Sequence, residues 1–140
     1  MDADRLKADG WTPVKAGGFS EQLSPFWVRG GNTDPEIGFI VEPRHCNQHM
    51  GSLHGGALMT FADLGIGYGA SRVLGGSNCS TAQLQIQFVA VAKAGEFVSC
   101  KPEVVRQTMR LIFVRGLIRA GDRTIASADG IWKVFEEKSL

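Results

Sequence analysis

Hydrophobic spacing changes period along this chain, and the changes mark its elements. From His54 to about Leu74 the apolar and small residues at positions 58, 62, 65, 66, 69 and 73 recur at helical spacing, which predicts one long helix. Leu74-Gly75-Gly76-Ser77 ends it, since glycine takes a left-handed cap at little cost. From Thr81 the period becomes two. Ala82, Leu84, Ile86, Phe88, Ala90 and Ala92 fall on one face, and Thr81, Gln83, Gln85 and Gln87 on the other, so residues 81–92 read as a long strand. Further strands are expected from about Phe97 to Arg106, Leu111 to Arg119 and Thr124 to Phe135, with Ala120-Gly121-Asp122-Arg123 as a hairpin turn. Before the long helix, Asp2 or Asp4 caps a short helix ending near Gly10. Two short extended stretches, 26–29 and 37–41, flank the turn residues Gly30, Gly31, Asn32 and Pro35.

This order predicts an α+β domain spanning residues 1–140. One long central helix lies across a curved antiparallel sheet of about six strands. Small residues along the helix let the sheet approach closely. The Gly65-Ile66-Gly67-Tyr68-Gly69 cluster is mid-helix and follows no strand, so it is packing rather than a dinucleotide loop. Fifteen basic and fourteen acidic side chains lack the basic excess of a nucleic-acid partner. No uninterrupted apolar segment is long enough to span a membrane, and the polar N-terminus does not match a secretory signal. Cys46, Cys79 and Cys100 are odd in number and unrelated in spacing, which fits free thiols in a reducing cytoplasm.

The chemistry concentrates in HMGSLHGGALMTFADLGIGYGA, residues 49–70. Asp63 is an acid in a segment otherwise suited to burial, where an unpaired charge is costly. It is expected at a cleft, partly desolvated, as a base or nucleophile. His54 lies nine residues earlier, about 13 Å away along a helix and on the opposite side, so it cannot be the acid's partner there. At the helix start, Gly55 and Gly56 leave outward-pointing amides unobstructed by side chains. Such amides can hold an oxyanion, one donor being worth about 3 kcal/mol of barrier. Donor and acid sit at different ends and faces of one helix. A second helix, antiparallel across a twofold axis, would bring Gly55 of one chain to Asp63 of the other, giving a homodimer with two shared sites.

Helix-in-sheet order together with GSLHGGALMTFAD and IQFVAVAKAGE resembles the hotdog-fold acyl-CoA thioesterases, over about residues 37–135. The resemblance is to the branch with phenylacetate-pathway and 4-hydroxybenzoyl-CoA thioesterases and the mammalian thioesterase superfamily members. It implies hydrolysis of an acyl-CoA to free acid and coenzyme A, with no metal or redox cofactor. Gly55 would donate its amide to the thioester carbonyl, beside Gly56. Asp63 would activate water or attack directly, and Thr81 would position the water. An amide before the histidine, Gln48 or the adjacent Asn47, would hold the carbonyl side of the substrate. His54 would order the loop and helix start. Arg106 and Arg110 would meet coenzyme A phosphates. The family stacks dimers through their sheets, and the Gln83, Gln85, Gln87 row suits a second interface, so a homotetramer is expected.

Two other readings remain at this level: a non-catalytic acyl-CoA-binding protein, and a hotdog hydratase or dehydratase, which would need a histidine facing an acid. His45, Cys46 and His49 form a ligand-like cluster but lack a fourth ligand at regular spacing, so loop hydrogen bonding is the reading adopted and no metal is expected. Trp11, Trp27 and Trp132 are assigned to core or interface.

Overall fold

The computed structural model describes residues 1–76 and 78–135. The chain runs α1 (Ala3–Ala8), β1 (Thr12–Val14), β2 (Phe26–Arg29), β3 (Glu36–Ile40), α2 (Gly55–Val73), β4 (Cys79–Phe88), β5 (Phe97–Cys100), β6 (Glu103–Gln107), β7 (Leu111–Ala120) and β8 (Arg123–Val134). Short 3-10 turns occupy Gly18–Leu23 and Pro43–His45. Asp2 caps α1 by accepting the Arg5 N–H.

All strands join one antiparallel sheet of order β1-β2-β3-β5-β7-β8-β4, with β6 also paired to β7. Eight strands replace the expected six for two reasons. Thr12–Val14 adds a short edge that has no alternating pattern to announce it. The single strand expected over 97–106 is divided at Lys101-Pro102, because proline has no N–H to give the ladder. Both pieces still pair with β7.

α2 lies across one face of the sheet, which is the hotdog arrangement. Leu58, Phe61, Ala62, Gly65, Ile66, Gly69 and Ala70 are its buried residues, whereas Val73, expected inward, is exposed. Close approach depends on glycine. A Cβ on Gly67 would lie 2.8 Å from Trp132 Nε1, and one on Gly69 2.6 Å from Pro102 Cβ. The main core fills the space between α2 and the sheet, around Phe26, Phe39, Phe61 and Ile66. On the other face Leu6 of α1 packs with Trp11 and Trp27. All three tryptophans are buried.

β4 ends the strand order, so its outer edge has no neighbour among the described residues. Along this side Phe88, Val89, Val91 and Met59 are exposed. Among the described residues no helix is long and apolar enough to cross a membrane. All three cysteines are free thiols. Cys100 is buried, and desolvation pushes it up to about 12. Burial also raises Cys79, partly offset by a backbone hydrogen bond at Asn78. Neither thiol is poised as a nucleophile.

Candidate active site

Asp63 stands on the side of α2 that turns away from the core. Thr81 Oγ1 donates to its Oδ1 at 2.6 Å. The expected partial burial does not hold within one chain, since Asp63 is exposed. The apolar stripe of α2 is centred on Phe61, Ala62 and Ile66, and among the described residues nothing buries Met59 or Asp63. A fixed hydrogen bond to the carboxylate leaves its other oxygen open for a proton.

Strand alternation placed Thr81 with the glutamines, on the face opposite the helix. The structure places it on the helix side, and the cause is a β-bulge. Thr81 pairs with Trp132 while Gln83 pairs with Ile131, so Ala82 is an extra residue. Directly paired residues share a face, and Trp132 is buried against Gly67, one helical turn beyond Asp63. Bulges commonly re-aim a side chain in this way. Trp132 is buried, in keeping with its assignment to core or interface, whereas the bulge was not expected from the sequence. Thr81→Val should lower kcat about ten- to hundredfold, the worth of one hydrogen bond to a charged group, while Thr81→Ser retains most activity. Steady-state kinetics on the two folded variants would check this, and an active valine variant would remove Thr81 from the site.

At the other end of the segment His54 is the N-cap of α2. Its Nδ1 accepts the Gly56 N–H at 2.8 Å, so Nδ1 is unprotonated and Nε2 carries the proton. The cap residue is itself tied down, its N–H donating to His45 O, while the Leu53 N–H donates to Ala92 O. Thus the Gly56 amide, expected as a substrate donor, is spent on the cap. The Gly55 amide makes no hydrogen bond among the described residues, and no side chain of its own screens it. The Phe88 ring lies beside it, 3.7 Å from where a Cβ would stand.

The loop before the helix separates Asn47 from Gln48. Asn47 donates through Nδ2 to Ser52 Oγ at 3.0 Å and accepts the Met50 N–H at 2.8 Å, closing its own loop. Gln48 is exposed, with no side-chain hydrogen bond among the described residues. Of the two amides, Gln48 is therefore the one free to meet a substrate. The His45, Cys46, His49 cluster does not converge. His45 is buried, accepting the Glu42 N–H at Nδ1 (3.0 Å) and donating from Nε2 to Gln22 O (2.8 Å). Among the described residues no three potential ligands gather to hold a metal. No histidine bonds Asp63 either, Thr81 being its partner.

Arg106 and Arg110 are exposed at the β6–β7 turn. Arg106 lies in a cross-strand row with Phe113, Ile131 and Gln83, so it belongs to the sheet face opposite α2. Arg110 accepts the Val134 N–H at its carbonyl. Its neighbour Leu111 is two strands from Ser80 through Lys133, about 10 Å. The chain brings Arg110 to the Thr81 end of the sheet and leaves Arg106 on the far face.

Acid and amide stay apart within one chain. Gly55 and Asp63 are eight residues apart on a regular helix, about 12 Å along its axis. A thioester carbonyl group cannot be within hydrogen-bond reach of both.

Comparison with known proteins bears on this pair. The family model described as the thioesterase superfamily matches residues 50–127, more than half of the chain. A provisionally named esterase of Pseudomonas aeruginosa, PA0474, is 29% identical over 127 residues, covering 89% of this chain and 94% of its own. Among solved structures, zebrafish thioesterase superfamily member 2 superposes with a TM-score of 0.75 at 22% identity, over 86% of this chain and 88% of that one. A hypothetical thioesterase of Streptococcus pneumoniae, solved with coenzyme A, gives 0.72 at 20% identity, over 84% and 91%. The PaaI protein of the Escherichia coli phenylacetic acid degradation operon gives 0.69 at 19%, over 98% and 88%. These structures share the fold.

Proposed function

The chain belongs to the thioesterase superfamily, and from that premise we propose that it hydrolyses acyl-CoA thioesters to free acid and coenzyme A. The observation that carries this reading is the carboxylate–hydroxyl pair of Asp63 and Thr81 on the open side of α2, with an unspent Gly55 amide at the head of the same helix. Coenzyme A in the Streptococcus pneumoniae structure supports the choice of thiol carrier.

In the base form of the reaction, Asp63 takes a proton from water while the water oxygen attacks the thioester carbonyl carbon. Negative charge gathers on the carbonyl oxygen, where the Gly55 N–H stabilises it. Collapse breaks the C–S bond, and the thiolate leaves with a proton returned from Asp63. In the nucleophilic form the carboxylate attacks first and the C–S bond breaks, expelling the coenzyme A thiolate. Water then cleaves the resulting anhydride, freeing the acid and Asp63 and supplying the proton that the thiolate takes up. Gln48 would hold the substrate carbonyl side, and Arg110, at the Thr81 end of the sheet, would serve the phosphates. His54 holds the donor end in shape.

The 12 Å gap between amide and acid is closed by a second copy. The ten-residue β4 edge can pair with itself about a twofold axis, burying Met59, Phe88, Val89 and Val91 and setting the two α2 helices antiparallel. Asp63 would then be covered by the partner, which restores the desolvated setting its chemistry favours. The 140 residues act in this reading as one domain, in the cytoplasm.

Dimers would pair further through the opposite sheet face. Gln85 and Gln87 there border a cavity of about 800 Å³ with Arg115, Arg119 and Asp129, distant from Asp63 and Gly55. Gln85 stands directly opposite Asp129, whereas Gln87 faces Ser127, so Gln87 is the cleaner place to introduce charge. Gln87→Glu places like charges near the second axis and should shift a tetramer toward dimers in sedimentation velocity at micromolar concentration. A wild type already dimeric there would remove the second interface.

A panel of acyl-CoAs from acetyl to palmitoyl, with benzoyl and phenylacetyl, tests the activity by release of free thiol. No release above the uncatalysed rate from any of them would overturn the proposal.

A further inference from the structure

A cavity of about 380 Å³ opens beside the first turn of α2, within the size range of small-ligand sites. Its buried and half-buried walls are Leu23, His45, Cys46, Ala57 and Thr60, and its mouth is formed by the exposed Phe19, Gln22, Arg44, His54 and Gly56. The mouth therefore lies at the helix end that carries the Gly55 amide. An acyl group whose carbonyl sits on that amide has this space as its neighbour.

The inner wall has no side-chain donor left to offer. The Thr60 hydroxyl donates to Gly56 O at 2.9 Å. The Cys46 thiol points to Glu42 O at 3.6 Å. The His45 Nε2–H donates to Gln22 O, and its Nδ1 is occupied by the Glu42 N–H. The remaining wall is Leu23 and Ala57, and Ala57, the smallest side chain with a Cβ, keeps the space open. A site built to read a polar substrate group presents unpaired partners for it. The inner wall presents no free donor, and a hydroxyl carried inside would give up water with at most the Thr60 hydroxyl oxygen as an acceptor in its place.

We infer that this cavity receives the acyl group, and that it selects plain hydrocarbon acyl groups, aliphatic or aryl, over those carrying a hydroxyl at the far end. The inference rests on the thioesterase reading and names the substrate class of that site. Ala57 sets the depth of the cavity, and the exposed Phe19 ring walls its mouth.

The test compares kcat/KM for matched pairs, hexanoyl-CoA against 6-hydroxyhexanoyl-CoA and phenylacetyl-CoA against 4-hydroxyphenylacetyl-CoA. The plain member should lead in each pair by about ten- to a hundredfold, the range over which an apolar pocket rejects an added hydroxyl. Ala57→Leu should lower the hexanoyl-to-acetyl ratio of kcat/KM at least about tenfold by filling the space. Phe19→Ala, at an exposed position that should fold normally, should lower the same ratio severalfold. Equal or reversed preference within the pairs would overturn the inference, as would an unchanged chain-length ratio in Phe19→Ala and in folded Ala57→Leu. Those outcomes presuppose hydrolysis. Failure of the wild type to release thiol from any acyl-CoA would instead remove the thioesterase reading itself.

Discussion

Replacing Asp63 by asparagine is expected to lower acyl-CoA hydrolysis by about two orders of magnitude or more, the usual worth of a positioned general base. Asparagine matches aspartate in size, and its carbonyl oxygen can still accept the Thr81 hydroxyl, now bonded at 2.6 Å. What it cannot do is take a proton from water or attack as a carboxylate. The position is exposed within the chain, so the protomer should lose little stability. The loss should therefore fall on kcat, with KM and the melting temperature close to wild type. Both the base and the nucleophilic route require this result. Asp63→Asn turning over at the wild-type rate would show that the carboxylate is not the reacting group.

The fold was legible because long, strongly periodic segments carry it. Helical spacing over 54–74 and period two from Thr81 located α2 and β4, although β4 ends at Phe88 and not at Ala92, and turn glycines separated the later strands. What escaped was local. The bulge at Ala82 inverts the face on which Thr81 lies, and alternation cannot register an extra residue whose neighbours still alternate. The division at Pro102 needed only proline's missing donor to be weighed against an otherwise extended pattern. The site was legible in its residue types rather than in its hydrogen bonds. Asn47 and Gln48 look equivalent in sequence, yet Asn47 closes a loop against Ser52 and Met50. Gly55 and Gly56 look equivalent too, but the His54 ring takes the second amide and leaves the first. In each pair a short side-chain-to-backbone contact decides which member is spent on structure. The exposure of Asp63 has a different origin: the buried stripe of α2 runs through Phe61, Ala62 and Ile66, and the acid falls on the side turned away from it.

Proline at position 55 should abolish the oxyanion donor while sparing the helix. Gly55 is the first residue of α2, where proline is well tolerated because that N–H has no helical acceptor. His54 before it already holds φ −63° and ψ 136°, the extended conformation that a following proline requires. Gly55 is not among the glycines held at positive φ, and a Cβ there would meet the Phe88 ring only at an ordinary 3.7 Å. Gly55→Pro should therefore fold and melt near wild type. It should nevertheless lose about a hundred- to a thousandfold in kcat, the measured worth of one oxyanion donor. The same variant tests whether the site is shared. Mixed with Asp63→Ala chains, each heterodimer would contain one site with an intact amide from one chain and an intact acid from the other. Random exchange at equal concentration makes half of the dimers mixed, each with one of two sites restored. Activity should then recover to about a quarter of wild type, although neither parent is active alone. Heterodimers verified by mass spectrometry and lacking recovered activity would place acid and donor in one chain, against the 12 Å spacing of the helix.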